Sequence, residues 1–359
     1  MDWNFGRSEG RQGFTATAMT YFAGTPLAST VRECIQNSLD ASLGDQIDVA
    51  FTLDHHKVDG MPGLQKLVPF LESALKAELE SNEELSEDEL KNLNSISFYR
   101  GALTLVGNKE ITVLGIHDWG TSGLKGHVKE TQGLKPSPWL ALILGEGVDV
   151  KDSKDSLGSF GQGSMAPYAL SRLRTLFYLS RSNEPDGVAD RFVGKAILSS
   201  SWQTDQDGQN YLTRAKGYFS TGESVEPLTG NDIPAWAFDS RTSLTEETGT
   251  SIYIPAPVET VEGNRFEYSL MAEILLNFYY AIESGRLRVH LPGGKILEKD
   301  SVKKEAIDSA ILEDDTLDEG QLATLRTLVT SKVKGLKTSK VFGQYFFAIR
   351  TGEELASKK

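Results

Sequence analysis

The sequence predicts a folded chain of mixed helices and strands, α/β or α+β in class. Three observations predict it. Apolar residues recur in four-residue steps over residues 25–42 and 266–284, which is the mark of helices buried on one side. Short alternating or β-rich runs lie between those segments. The composition, 39% hydrophobic with 34 Gly in 359 residues, suits a folded chain rich in turns. This length allows two domains, or one large domain with an appendage, and no internal repeat is present.

The first helix is predicted from Thr25 to Ser42. Thr25 is its N-cap and Pro26 its first helical residue, with Val31, Ile35 and Leu39 on one side. Alternation at Ile47, Val49, Phe51 and Leu53 predicts a strand. Two further runs, Ala102 to Val106 and Ile111 to Ile116, read as strands joined by a hairpin at Asn108 and Lys109. Between them, Leu64, Leu67, Leu71, Leu75 and Leu79 form a helical seam in an acidic stretch with eight acidic residues from Glu72 to Leu90. That stretch, within residues 64–100, reads as a solvated amphipathic insertion rather than a partner-binding arm. Residues 131–155 read as a loop with a helical turn. Strands are expected at Thr175 to Ser180, Arg191 to Leu198, Tyr211 to Phe219 and Thr250 to Ile254, then a helix from Phe266 to Ser284 and a strand from Leu287 to Leu291. From Lys295 the chain turns Lys- and acid-rich and reads as helical until a β-like run, Val341 to Arg350. Residues 295–359 are therefore expected to start a second domain, small or cut short.

The charge balance, 37 Lys plus Arg against 50 Asp plus Glu with a net charge of −13, argues against direct nucleic-acid binding, because phosphate affinity rests on Lys and Arg. One Cys and five His exclude a disulfide scaffold and a Cys-based structural zinc site. The start, MDWNFGRSEGRQ, lacks the order of a signal peptide. The apolar run Trp139 to Leu144 is far below the ~18 residues of a membrane span. A cytoplasmic protein is the expectation.

Four strings carry chemistry. The first is Val31-Arg32-Glu33-Cys34-Ile35-Gln36-Asn37-Ser38-Leu39-Asp40-Ala41. At ~100° per residue, Glu33, Asn37 and Asp40 fall within roughly 60° on the side away from Val31, Ile35 and Leu39. Reading Thr30 to Glu33 as a capping box fails, because a start at Thr25-Pro26 puts Glu33 mid-helix. The second, Asp118-Trp119-Gly120-Thr121-Ser122-Gly123, sets a carboxylate just past a strand; alone it is more often a turn than a site. The third is Gly158-Ser159-Phe160-Gly161-Gln162-Gly163-Ser164, before an apolar stretch, Met165 to Leu173, that can be a helix. Glycines there let backbone N–H groups approach an anion. It is neither a Walker A loop nor a dinucleotide fingerprint. The fourth, Gly249-Thr250, opens a strand and says little alone.

In this order the strings resemble the N, G1, G2 and Gly-Thr motifs of the GHKL, or Bergerat-fold, ATPases: gyrase B, MutL, MORC proteins, histidine kinases and the large heat-shock chaperones. The first string has the chaperone and MutL form, a basic residue, Glu, Asn after three intervening residues, then Asp-Ala. The third resembles the chaperone G2 pattern. The resemblance covers roughly residues 15–292, and strand, helix and strand from Thr250 to Leu291 repeat the way such domains end. It implies a two-layer α/β sandwich, a mixed sheet with helices on one face, as an ATPase domain over residues 1–294 with an ATP lid at 124–157.

Carried over by residue, the resemblance implies that Glu33 is the general base for the attacking water and that Asn37 holds the Mg²⁺ of bound ATP. A carboxylate can take a proton from water, and an amide oxygen is a hard ligand. Asp118 would accept the adenine amino group, and Gly120 and Gly123 would let the chain pass base and ribose. Gly158, Gly161, Gln162 and Gly163 would form the phosphate loop, with backbone donors at Gly161 and Gly163. Thr250 would hold the water network beside Asp118, while Asp40 braces the sheet or Arg32. The implied function is slow Mg²⁺-dependent ATP hydrolysis driving lid closure and association of two copies, in a bacterial DNA-related or phage-defence system. Partner proteins or a C-terminal effector domain would carry the output. A nucleotide-dependent clamp or chaperone-like scaffold with little turnover is the alternative. A histidine kinase fits poorly, since no His precedes Asn37.

Lys332, Lys334, Lys337, Lys340 and Lys125 are open choices for a γ-phosphate sensor. Cys34 reads as a packing residue. His55, His56 and His117 lack a third metal ligand in reach. Tyr21 and Phe22 read as core residues; in gyrase-like relatives such an arm reaches across a dimer.

Overall fold

The structure, a computed structural model, describes residues 1–14, 17–129, 132, 134–145, 163–222, 225–258, 265–308, 317–330, 332–339 and 343–349. The chain opens with β1 (Asp2–Asn4), α1 (Thr17–Thr20), α2 (Pro26–Asp40) and β2 (Ile47–Lys57). Four helices follow, α3 (Pro62–Gln65), α4 (Val68–Glu80), α5 (Glu87–Asn92) and α6 (Asn94–Val106), and then β3 (Glu110–Trp119), α7 (Pro138–Ile143) and α8 (Ala166–Leu170). The middle is β4 (Thr175–Glu184), β5 (Gly187–Ile197), β6 (Trp202–Thr204), β7 (Asn210–Leu212), β8 (Lys216–Ser220), α9 (Ala235–Thr242) and β9 (Gly249–Pro255). The last part holds α10 (Arg265–Glu283), β10 (Leu287–His290), β11 (Ile296–Leu297), α11 (Val302–Asp308), α12 (Glu319–Thr330), β12 (Lys332–Ser339) and β13 (Gly343–Ile349).

Nine strands form one sheet in the order β1-β8-β5-β4-β9-β3-β2-β10-β11. Neighbours run antiparallel except β2 and β10, which pair in parallel from Ile47↔Leu287 to Ala50↔His290. The mixed sheet is as expected; its covering is not. Successive residues of one strand feed two separate cores: Leu176 and Tyr178 join one, Phe177 and Leu179 the other. The first core is closed by α2, α7, α8, α10, α11 and α12. The second is closed by α3, α4, α6 and α9 together with Trp3 and Phe5 of the N-terminal strap. Helices therefore lie on both faces, which corrects the two-layer expectation of helices on one face.

The second helical layer explains the acidic stretch. Leu64, Leu67 and Leu71 are fully buried against the sheet, while the acidic side chains are exposed apart from Glu78, which is half-buried and accepts from Ser95. The segment is therefore a covering layer with a solvated outer face. Its end also corrects the expected hairpin: Ala102 to Val106 is the last part of α6, whose buried Ile96, Tyr99, Ala102 and Val106 recur in steps of three and four. Asn108 and Lys109 link helix to strand. The run expected at Tyr211 to Phe219 divides into β7 and β8, with β7 paired to β6 outside the main sheet.

In the tail, Leu297, Val302, Ala306, Leu325, Leu328 and Val329 join the first core. Lys332 to Ser339, expected to be helical, is β12 and pairs with β13; lysines alternating with Val and Leu fit a strand better than the helical period. The N-terminal strap is bound to the same molecule: Trp3 Nε1 donates to the Gly63 carbonyl at 2.6 Å, and the Arg174 guanidinium lies 3.6 Å from the Phe14 ring centre. Among the described residues no helix is long and apolar enough to cross a membrane.

Candidate functional site

Asp118 is the next-to-last residue of β3, opposite Val49 of β2, so its side chain faces the core that α2 covers. Helix α2 begins as predicted, with Thr25 at the N-cap position and Pro26 in the first turn, although Thr25 makes no side-chain capping bond. Its buried Val31, Cys34, Ile35 and Ser38 turn toward the sheet. Ser38 thereby meets Asp118: its Oγ lies 2.9 Å from Oδ2 and 3.0 Å from the Cys34 carbonyl. Thr121 Oγ1 donates to Asp118 Oδ1 at 2.5 Å, and the Thr250 backbone N–H donates to the same oxygen at 3.0 Å.

The loop after Asp118 is tied to the end of α2. The Leu43 and Ser122 N–H groups donate to the Gly120 and Ala41 carbonyls at 3.0 and 2.9 Å. Gly123 has φ +61, and a Cβ there would lie 2.4 Å from the Arg181 carbonyl, so glycine is required by conformation and by space. At the other end of this wall, a Cβ on Gly249 would lie 2.0 Å from the Asp118 carbonyl. Glycine there lets β9 start close enough for Thr250 to reach the carboxylate.

Glu33 is half-buried and sits 3.4 Å from Arg32 Nε through its own carboxylate. Asn37 lies one turn further along α2 and is exposed. Asp40, expected to brace the sheet or Arg32, accepts from Gln36 Nε2 at 2.9 Å. Gly163 is buried and opens a short 3₁₀ turn, Gly163–Met165, that packs against α2 before α8. The helix expected from Met165 to Leu173 is shorter, since Ser171 turns extended and donates to the Pro255 carbonyl. Gly158, Gly161 and Gln162 lie outside the described residues. So does much of 124–157; its root is held by Arg191, which donates to the Gly126 carbonyl at 2.8 Å, and by Glu184, which accepts from the Gly126 N–H at 3.0 Å.

Burial raises the pKa of Asp118, opposed by the hydrogen bond from Thr121, the charge of Arg241, and the bonds from Thr250 and Ser38. Burial also pushes the Cys34 thiol far above its ordinary range, reinforced by the nearby Glu33 and Asp118 charges. That fits packing, not nucleophilic chemistry. Glu33 of α2 and Asp118 of β3 thus both act on the Cys34 side chain through their charges. His117 points to the opposite face, between Ser251 at 2.9 Å and Thr52 at 3.2 Å. Burial, with Arg241 nearby, lowers its pKa to about 3, so it is neutral.

Three contributors escaped the sequence reading. Ser38 and Thr121 lie inside the motif strings beside the residues chosen from them. Arg241 carries no signal in sequence. It is almost wholly buried on α9, and its guanidinium donates to the Asp118 carbonyl at 3.1 Å, Ser251 Oγ at 3.1 Å and the Glu247 carbonyl at 2.9 Å.

No family model matches the chain, and no curated protein matches it. Among the described residues no group of three or more His, Cys, Asp or Glu side chains is arranged to hold a metal ion. A hollow of about 760 Å³ lined by Lys57, Gln65, Val68, Lys109 and Glu110 lies at the far end of β2 and β3 from Asp118, and takes no part in this site.

Proposed function

We propose that the chain binds ATP with Mg²⁺ and hydrolyses it slowly as a conformational switch, in the manner of the GHKL ATPases. The observation that carries this reading is the Asp118 carboxylate, which receives Ser38 from the first string, Thr121 from the second and Thr250 from the fourth. Strings far apart in sequence thus meet on one half-buried acceptor. The second helical layer departs from the family's two-layer plan, but it lies on the face away from the Asp118 side chain.

The donor set suits an adenine base. An ionised carboxylate has about four acceptor positions. Thr121 and Thr250 fill two on Oδ1, and Ser38 fills one on Oδ2, leaving one on Oδ2 for an exocyclic amino group. Guanine presents a carbonyl at the corresponding edge and gains nothing from that acceptor. Glu33, half-exposed one turn before Asn37, would accept the proton of an attacking water. Asn37, whose amide reaches solvent, would give an oxygen to the metal, and the metal when bound would neutralise phosphate charge.

Calorimetric titration of Asp118→Ala with ATP and ADP tests the reading. The variant takes the carboxylate acceptor from the Thr121 hydroxyl and the Thr250 N–H and removes the adenine contact, so both nucleotides should lose binding. Wild-type affinity in the variant would overturn it.

A further inference from the structure

We propose that Arg241 is a positioning residue for nucleotide binding: anchored on the Asp118 carbonyl, its buried guanidinium keeps the Asp118 carboxylate ionised, and the ionised form is the one that binds adenine. This rests on the reading of Asp118 as the adenine acceptor.

The geometry singles out Arg241. It is 1% exposed, and the three groups it bonds are the Asp118 carbonyl, the Glu247 carbonyl and the Ser251 hydroxyl. Those groups belong to β3 and to the two sides of Gly249-Thr250. It therefore joins the strand that carries the carboxylate to the strand start that donates to it. Both lie within reach of Gly249, where a Cβ would meet Arg241 Nη2 at 2.7 Å. Among the described residues, the other titratable groups acting on this pair are Cys34 and Glu33 from α2, His117 from β3, Arg181 from β4, Asp190 from β5 and Tyr253 from β9. His117 is neutral, Cys34 and Tyr253 hold their protons, and Arg181 is engaged by Asp190 at 3.5 Å and Glu246 at 2.9 Å. Among the described residues Arg241 is thus the cation that bonds Asp118 itself, through its carbonyl, and its charge favours the carboxylate against the opposing effect of burial.

Ser38 makes the two protonation states different in kind. A hydroxyl has one hydrogen, and Ser38 Oγ faces both Asp118 Oδ2 and the Cys34 carbonyl. With Asp118 ionised, that hydrogen goes to Oδ2, whose remaining lone pair is a charged acceptor for the ligand. With Asp118 protonated, the acid proton lies on Oδ2 and donates to Ser38, and Ser38 turns its hydrogen to Cys34. The ligand then finds a neutral hydroxyl oxygen, and hydrogen bonds to neutral acceptors are roughly half as strong as charge-assisted ones. Adenine affinity should therefore fall about tenfold as Asp118 protonates.

The test is the pH profile of ADP affinity by calorimetry in the wild type, Arg241→Met and Arg241→Lys, with the Asp118 carboxyl followed by carbon-detected NMR without nucleotide. In Arg241→Met, both the affinity midpoint and the carboxyl midpoint should move up by about one pH unit, the size of a lost neighbouring charge. Arg241→Lys keeps the charge and should titrate near the wild type even if its affinity is lower. Unmoved midpoints in Arg241→Met overturn the role of Arg241. Equal shifts in both variants overturn it as well, since a purely structural role would not distinguish them. If Arg241→Met does not fold, a wild-type carboxyl midpoint in Arg241→Lys supports the proposal, and a raised one overturns it. A wild type that binds no nucleotide at any pH, with the carboxyl midpoint still dependent on Arg241, would mark the failure of the ATPase reading instead.

Discussion

Ser38 Oγ lies 2.9 Å from Asp118 Oδ2, across 80 residues of sequence. This bond fastens α2 to the end of β3, so the helix bearing Glu33 and Asn37 takes its position from the carboxylate at the end of the strand. The stability of the junction and the competence of the site are thereby linked.

Ser38→Ala should lower global stability by about 1.5–3 kcal/mol, the usual range for a hydrogen bond to a charged partner. Urea unfolding followed by circular dichroism measures it. A change below about 0.5 kcal/mol, the level of an ordinary surface substitution, would show that the bond does not hold helix and strand together.

Glu33→Ala should keep nucleotide binding and lose hydrolysis by on the order of a hundredfold or more, as expected for removal of a general base. Its half-buried carboxylate pairs with the exposed Arg32, so the fold should tolerate the change. Single-turnover hydrolysis with saturating ATP separates the outcomes. Wild-type turnover in the variant would reject the base, and a wild type without turnover would favour a nucleotide-dependent clamp.

His117 adds an acid sensitivity. Its folded pKa is about 3 against roughly 6.5 in an unfolded chain, so the unfolded state takes up a proton first. The stability it contributes is full above about pH 6.5 and is lost progressively as pH falls toward 3, on the order of a few kcal/mol in total. Urea midpoints of wild type and His117→Gln between these limits check it, the variant being expected to show the shallower dependence. Parallel profiles would mean that His117 does not set the slope.

A non-hydrolysed ATP analogue should shift monomer toward dimer in sedimentation, and ADP much less, because a ligand moves an equilibrium only by its differential affinity for the two states. The arm makes the design of a control specific. Trp3 and Phe5 are buried in the second core, so removing residues 1–24 should unfold the protein rather than merely weaken association. Tyr21 is 73% exposed, and Tyr21→Ala tests the arm without that damage. Loss of dimer in this variant supports an exchanged arm; an unchanged dimer places the interface elsewhere.

The elements that were legible in sequence are those whose pattern is local. Val31 and Ile35 mark the buried side of α2 within one turn, and the Asp118 string follows a strand directly. The second helical layer was missed, although Leu176-Phe177-Tyr178-Leu179 is apolar without alternation, as befits a strand buried on both faces. Helix α6 was obscured because Leu103, Thr104, Leu105 and Val106 suit a strand, and its period emerges only when Ile96 and Tyr99 are included. Arg241 could not be read at all. Its nearest partners in sequence are 6 and 10 residues away, but the one that matters for Asp118 is 123 residues away, and no periodicity encodes such a contact.

The order of the nine strands also bears on synthesis. Asp2 pairs with Ser220 and Ile47 with Leu287, so two of the earliest strands to leave the ribosome wait for partners made more than 200 residues later. At roughly 5–20 residues per second, that wait is on the order of ten to forty seconds. During it Trp3 and Phe5 have no sheet to cover, and the nascent chain is exposed to chaperones and proteases. A chain arrested before residue 287 lacks the parallel neighbour of β2, whatever the state of the strands already made.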